Sequence, residues 1–151
     1  MEKKLKIFLV DDNETFRKAV SQFLEIELGC EVVGEAENGT QFLQNYKTFL
    51  ADIVLMDIQM PEIDGISATK KWCQRNPETK VIAVTMFTEK AYLLPLIEAG
   101  FKGCIFKSDF FNEIINAIDY VMNGRMFIVI KFLLADKKYL FYIVIIWINT
   151  T

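Results

Sequence analysis

The 151-residue chain contains no histidine. This absence removes imidazole acid–base catalysis, His-rich zinc sites and any phosphohistidine carried by the chain itself. Cysteine is scarce: Cys30, Cys73 and Cys104 are an odd number and form no Cys-x-x-Cys pair. That usage fits a reduced, cytoplasmic protein whose thiols serve as small apolar side chains. There is no basic excess, with 17 Lys and Arg against 20 Asp and Glu and a net charge of -3. No field that would attract nucleic acid is therefore expected, and no nucleic-acid contact by this chain. The apolar run Leu5 to Val10 is shorter than a signal peptide needs and two aspartates follow it at once, so a buried strand is expected there and not a targeting signal. Three Asn-x-Ser/Thr matches, at Asn13, Asn38 and Asn149, are read as chance, since nothing else points to secretion.

What the chain does have is 52% hydrophobic residues, enough for one globular domain with a proper core. Short apolar runs alternate with segments of helical period. Leu5 to Val10 reads as a strand buried on both faces. Asn13 is placed to cap a helix whose apolar stripe is Phe16, Ala19, Val20, Phe23, Leu24 and Leu28, with Gly29 as its stop. Glu31 to Ala36 is a second strand, Asn38-Gly39 a turn, and Thr40 to Tyr46 a short helix. Ile53 to Met56 is the third strand, ending on Asp57, and Gly65 opens a helix that runs to about Arg75. Lys80 to Val84 leads into Thr85, and Glu89 to Ala99 reads as a helix that Pro95 should kink or shorten. Gly103 to Phe106 is a fifth strand ending in Lys107, and Asp109 to Asn123 is a last amphipathic helix with Phe110, Ile114, Ile115, Ile118, Val121 and Met122 on its apolar side and Gly124 as its stop.

Five strand–helix units in strict alternation predict an α/β fold, a flavodoxin-like (βα)5 doubly wound parallel sheet of strand order 2-1-3-4-5. In such a sheet ligands bind beyond the carboxyl ends of the strands, where the strand order reverses. Asp11 and Asp12 follow strand one, Asp57 strand three, Thr85 strand four and Lys107 strand five, so the topology brings them to one cleft. Three carboxylates in one place repel each other unless a cation joins them. Mg2+ suits oxygen ligands of this kind. Asp12 and Asp57 are the expected direct ligands, Asp11 acts mainly through water, and the backbone carbonyl of Gln59 is a third protein ligand. A carboxylate is also a nucleophile able to form an acyl phosphate, and the central strand makes Asp57 the best choice. Lys107 would then neutralise phosphoryl oxygens and Thr85 would donate a hydrogen bond to one of them.

Taken singly, each residue has an ordinary reading. An Asp-Asp pair after a strand is commonly a turn or cap, Thr85 could cap a helix, and Lys107 could be a surface charge. Their joint placement at the same ends of four strands turns the argument to function. Three rivals remain. An aspartate-nucleophile phosphohydrolase would want a second aspartate two residues on, where Gln59 stands. A flavodoxin-like cofactor binder would want a Gly- and hydroxyl-rich loop after strand one, where Asp11-Asp12 stand. A domain of this fold that only binds partners would not need the full acidic set, Thr85 and Lys107.

The same segments resemble a known family. Val10-Asp11-Asp12-Asn13, the block from Asp52 to Gly65 containing Met56-Asp57-Ile58-Gln59-Met60-Pro61, Ala83-Val84-Thr85, and Glu98-Ala99-Gly100 through Lys107 are similar to the receiver domain of bacterial two-component response regulators, over about residues 4 to 124. Gly34-Glu35-Ala36-Glu37-Asn38-Gly39 and Lys107-Ser108-Asp109 resemble receivers of the LuxR/NarL-type subfamily. The resemblance implies a sensor histidine kinase as phosphoryl donor to Asp57, a Mg2+ requirement, and a signalling phosphoacceptor rather than an enzyme with a separate substrate. It also implies that the domain assists its own phosphorylation and dephosphorylation, and that phosphorylation draws Thr85 inward and reshapes the face of helix four, strand five and helix five. Two positions depart from the pattern: Cys104 stands where an aromatic residue is usual, and Ser108 where proline is common.

Residues 1–124 are thus read as a receiver domain and 125–151 as an atypical hydrophobic tail without the helix-turn-helix of longer relatives. Met126 to Leu134 and Tyr139 to Ile148 are apolar runs suited to strands around a charged turn. Neither reaches the roughly 18 apolar residues that span a membrane. Three readings of the tail stay open: a truncated or frame-shifted end, a hairpin that packs on the receiver or pairs between chains, and membrane attachment, the least favoured. A homodimer through the last helix or the tail is an open hypothesis.

Overall fold

The computed structural model describes residues 2–86 and 93–128. Six parallel strands form one sheet: β1 Lys6–Val10, β2 Glu31–Ala36, β3 Ile53–Asp57, β4 Lys80–Thr85, β5 Gly103–Phe106 and β6 Phe127–Ile128. Their order is β2-β1-β3-β4-β5-β6. The five-stranded core of this sheet has the expected order 2-1-3-4-5. Five helices are described: α1 Glu14–Ile26, α2 Gly39–Gln44, α3 Gly65–Arg75, α4 Leu93–Ala99 and α5 Phe110–Met122.

The strands read as apolar runs because both faces of the sheet are covered. Alternate residues feed two separate cores. Phe8, Val10, Val54, Met56, Val81, Ala83 and Cys104 pack against Phe42 of α2, Trp72 of α3 and Leu96 of α4. Ile7, Leu9, Ile53, Leu55, Ile82, Val84 and Ile105 pack against Leu24 of α1 and Phe110, Ile114 and Val121 of α5. Phe8, Phe42, Leu24, Ile53, Phe110 and Ile114 are fully buried, and each such side chain contributes about 1.5–3 kcal/mol of transfer free energy.

The helix boundaries follow local chemistry. The Asn13 side chain accepts the Phe16 N–H at the head of α1, Asn38 accepts that of Gln41 for α2, and Asp64 that of Ser67 for α3. Three details differ from the sequence expectation. On α1 the stripe runs through Arg17, Val20 and Leu24, while Ala19 is exposed. The segment expected as one helix to Tyr46 is a six-residue α2 followed by a 3-10 turn, Tyr46–Leu50. The side chain of Asn45 accepts the Lys47 N–H at its start. Buried Thr48 then donates to the Phe42 carbonyl. On α5, Ile115 and Met122 face solvent, and Ala117 takes a core place.

Pro95 is the third residue of α4 as described, and the part of the expected helix at 89–92 lies outside the described residues. Ser108 sits in a 3-10 turn, Lys107–Asp109, that carries the chain from β5 into α5. The cysteines are unpaired, with Cys30 and Cys104 buried.

Beyond α5 the chain turns at Gly124, whose φ of 75° is left-handed. The N–H groups of Gly124 and Arg125 bond back to the Val121 and Tyr120 carbonyls, a helix-ending pair that also closes α4 ahead of β5. The chain then runs alongside β5, where the Phe127 N–H donates to the Lys102 carbonyl and Gly103 and Cys104 pair with Phe127 and Ile128. The first residues of the apolar tail are thus a sixth parallel strand. Residues 129–151, which carry the rest of the expected hairpin, lie outside the described residues.

Candidate functional site

The strand register sets the site. Val10 pairs with Met56 across β1 and β3, so Asp11 and Asp57 leave the sheet side by side. Asp57 pairs with Val84 and Thr85 with Phe106, which brings Thr85 and Lys107 to the same rim. Carboxylate oxygens of Asp11, Asp12 and Asp57 lie within 4.8 Å of one another. Asp11 and Asp57 are buried, and Asp12 is exposed.

Lys107 is the cation of this cluster. Its Nζ is 2.7 Å from Asp11 Oδ2 and 3.4 Å from Asp57 Oδ2. The ammonium also stands over the ring of Phe16, 4.8 Å from its centroid. Asp11 is fixed on three sides. Its N–H donates to the Ala36 carbonyl, its Oδ1 accepts the Asn13 N–H at 2.8 Å, and its carbonyl accepts from the Arg17 guanidinium. Arg17 is itself buried, with Glu37 3.8 Å away.

Asp57 carries the electrostatic load. Burial and then the neighbouring Asp11 charge raise its carboxyl to about 7, against the opposing pull of Lys107. One ammonium does not neutralise three carboxylates, and the remaining acidic oxygens are hard donors in a cleft. These residues fit a hard divalent cation.

The β3–α3 connection brings α3 against this centre. The Gly65 N–H donates to the Ile58 carbonyl at 2.8 Å. A Cβ at Gly65 would collide with the Asp57 carbonyl oxygen, so only glycine lets the helix start there. Gln59 lies in that connection, two residues past Asp57, and is exposed. Thr85 is buried at the end of β4. Cys104 is buried on β5 between Gly103 and Ile105, and burial pushes its thiol up to about 12.

Asp11, Asp12, Asp57 and Lys107 are thus brought together with Thr85 at the next strand end, and three residues not singled out as site residues lie against them: Arg17, Phe16 and Gly65. Arg17 had a signal in the sequence. It sits three and seven residues before Val20 and Leu24, on the apolar stripe of α1, where a charged residue needs a buried partner.

Among the described residues, no helix is long and apolar enough to cross a membrane. The profile of the response regulator receiver domain matches residues 7–119. The transcriptional regulatory protein DegU of Brevibacillus brevis is 31% identical over 127 residues, 84% of this chain and 54% of DegU. The response regulator GacA of Pseudomonas syringae pv. syringae is 35% identical over 124 residues, 82% of this chain and 58% of GacA. The chain spans a little over half the length of these curated relatives. A two-component response regulator of the LuxR family from Aurantimonas sp. SI85-9A1 superposes with a TM-score of 0.76 at 31% identity, over 83% of this chain and 89% of that one. Receiver domains are signalling domains that bind Mg2+ at an acidic phosphorylation site and take their phosphoryl group from sensor histidine kinases. With that profile match and these relatives, the chain belongs to the receiver domain family of two-component response regulators, with relatives of the LuxR type.

Proposed function

We propose that Asp57 is the phosphoacceptor of this receiver. One Asp57 carboxylate oxygen forms a bond to phosphorus while the bond from phosphorus to the donor's imidazole nitrogen breaks, and the electron pair leaves with that nitrogen. Asp11, Asp12, Asp57 and the backbone carbonyl of Gln59 would hold Mg2+, which supplies charge neutralisation for the transferring group. Lys107 moves from its contacts with Asp11 and Asp57 to a phosphoryl oxygen, and Thr85 donates its hydroxyl to another. The observation that carries this reading is the cluster itself: a buried Asp57 at the end of the central strand, its carboxyl raised to about 7, with Asp11 and Asp12 oxygens within 4.8 Å and Lys107 at 3.4 Å.

Further proposals extend this reading. The domain assists its own phosphorylation and dephosphorylation in the cytoplasm, with a histidine kinase as donor. Residues 1–124 form the receiver unit and 125–151 the hydrophobic tail, whose first residues lie on the β5 edge. A second copy of the chain is a partner supported by the apolar residues Ile26 of α1 and Phe111 and Ile115 of α5, all exposed. Light scattering tests that last point, and a monomer mass at all concentrations would remove it.

Intact-protein mass after incubation with acetyl phosphate tests the central claim. Wild type should gain one phosphoryl mass in the presence of Mg2+. The gain should be absent in Asp57→Ala and without Mg2+. A gain retained in Asp57→Ala would place the phosphoryl group elsewhere.

A further inference from the structure

We infer that Phe16 is a positioning residue for Lys107, acting through its aromatic face. The inference rests on the reading of Lys107 as part of the phosphorylation site. Two sides of the ammonium meet carboxylates, Asp11 at 2.7 Å and Asp57 at 3.4 Å. A third side meets the Phe16 ring, 4.8 Å from its centroid. That distance is within cation–π range, where the negative ring face attracts the charge and water is excluded from it.

The ring is held in place from behind. Phe16 meets Phe110 edge-to-face, with centroids 5.8 Å apart and planes at 77°. Phe110 is fully buried and opens α5 directly after the Lys107–Asp109 turn. The cation and the ring's support therefore belong to one short segment, residues 107–110, closing on α1. Phe16 also adjoins Arg17, whose guanidinium grips the Asp11 carbonyl. One turn of α1 thus orders an acid of the cluster through Arg17 and its cation through Phe16.

This arrangement has a consequence of definite sign. In the metal-free site Lys107 is a resident cation among the carboxylates that would take Mg2+, so the two cations oppose each other. Phe16 holds Lys107 in the cluster and strengthens that opposition. Phe16→Leu keeps an apolar side chain of similar reach but lacks the ring face. Lys107 then holds less firmly, and Mg2+ should bind tighter, by about two- to fivefold. Phosphorylation by acetyl phosphate should slow by a similar factor, because Lys107 is less well placed for the phosphoryl oxygen. General loosening of the fold would weaken Mg2+ binding instead.

Calorimetric titration of the full chain with Mg2+ is the test, using wild type, Phe16→Leu, Phe16→Tyr, Lys107→Met and Phe16→Leu/Lys107→Met. The expected result is tighter binding in Phe16→Leu, wild-type binding in Phe16→Tyr, and no effect of Phe16→Leu once Lys107 is gone. Weaker binding in Phe16→Leu, or the same change with and without Lys107, overturns the inference. A metal-free urea cycle over the same variants tests it independently of Mg2+. Unfolding constants should be non-additive by about two- to fivefold, and additive values overturn the coupling. A wild type that takes no phosphoryl group would remove the Asp57 reading, while both comparisons would still decide the role of Phe16.

Discussion

Replacing Asp57 with Asn should stabilise the metal-free protein, and the gain should grow with pH. Asp57 sits near 3.8 in an unfolded chain and at about 7 in the fold. Between those values the folded state binds the proton that the unfolded state has lost, so stability falls as pH rises. The contribution is whole below about pH 4 and gone above about pH 7. A shift of roughly 3 pH units corresponds to about 4 kcal/mol in full, of which about 2.5 kcal/mol falls between pH 5 and 8. Solvent at the rim of the cleft screens part of it, and about half that slope is the expected measurement. The amide introduced by Asp57→Asn would have the shape of the protonated acid and no such slope. Lys107 keeps Asp11 at 2.7 Å, so the substitution leaves no orphaned ammonium. Urea unfolding of both proteins in EDTA at several values from pH 5 to 8 makes the comparison, since groups that do not interact with Asp57 cancel between them. Adding Mg2+ should stabilise wild type by about 2.7 kcal/mol at a hundredfold excess over Kd, and Asp57→Asn by less. A stability difference that stays flat from pH 5 to 8 in EDTA would refute the claim that burial and Asp11 disfavour the Asp57 charge.

Four other outcomes are expected. Gly65→Ala should destabilise by about 2 kcal/mol or more and slow phosphorylation, because its Cβ meets the Asp57 backbone; an unchanged urea midpoint would contradict the collision. Arg17→Met should cost about 1–3 kcal/mol by removing a buried donor from the Asp11 carbonyl, measured by urea unfolding. Cys104, with its thiol at about 12, should resist iodoacetamide at pH 8 in the folded protein and react fully in urea, as read by peptide mass; rapid native labelling would show the site to be open. Phe127→Pro should cost about 1 kcal/mol through loss of the Phe127 N–H to the Lys102 carbonyl, and amide exchange near Gly103 should quicken.

The sheet was legible because parallel strands covered on both faces have little choice of composition. Ile53-Val54-Leu55-Met56 must fill two cores at once, and the bounds of β2, α3 and β5 fell where expected. The rim residues were legible for the same reason, since each ends an apolar run. The 3-10 turn Tyr46–Leu50 was not, because it depends on one buried hydroxyl, Thr48, reaching back to the Phe42 carbonyl. Arg17 was passed over in favour of Ala19 because a periodicity argument ranks residues by hydropathy, and a guanidinium can lie on the buried stripe when a main-chain carbonyl waits for it. The apolar reading of α5 was too broad for a related reason. Ile115 and Met122 are hydrophobic yet exposed, and the packing of Phe110, Ile114, Ala117 and Val121 against the sheet shows which face is inward.

The residues that break a local preference beside the site do so for a common cause. Arg17 and Gly65 each break a local preference, and each touches Asp11 or Asp57 directly. Asp57 is the same case in electrostatic form, a carboxyl kept where its charge is disfavoured. A residue chosen for stability alone at 57 would be a neutral one. The two cores on either side of the sheet are large enough to offset such local costs. Mg2+ or a phosphoryl group would then act on a site already out of electrostatic balance, and a small change of charge there has a large differential effect on the fold.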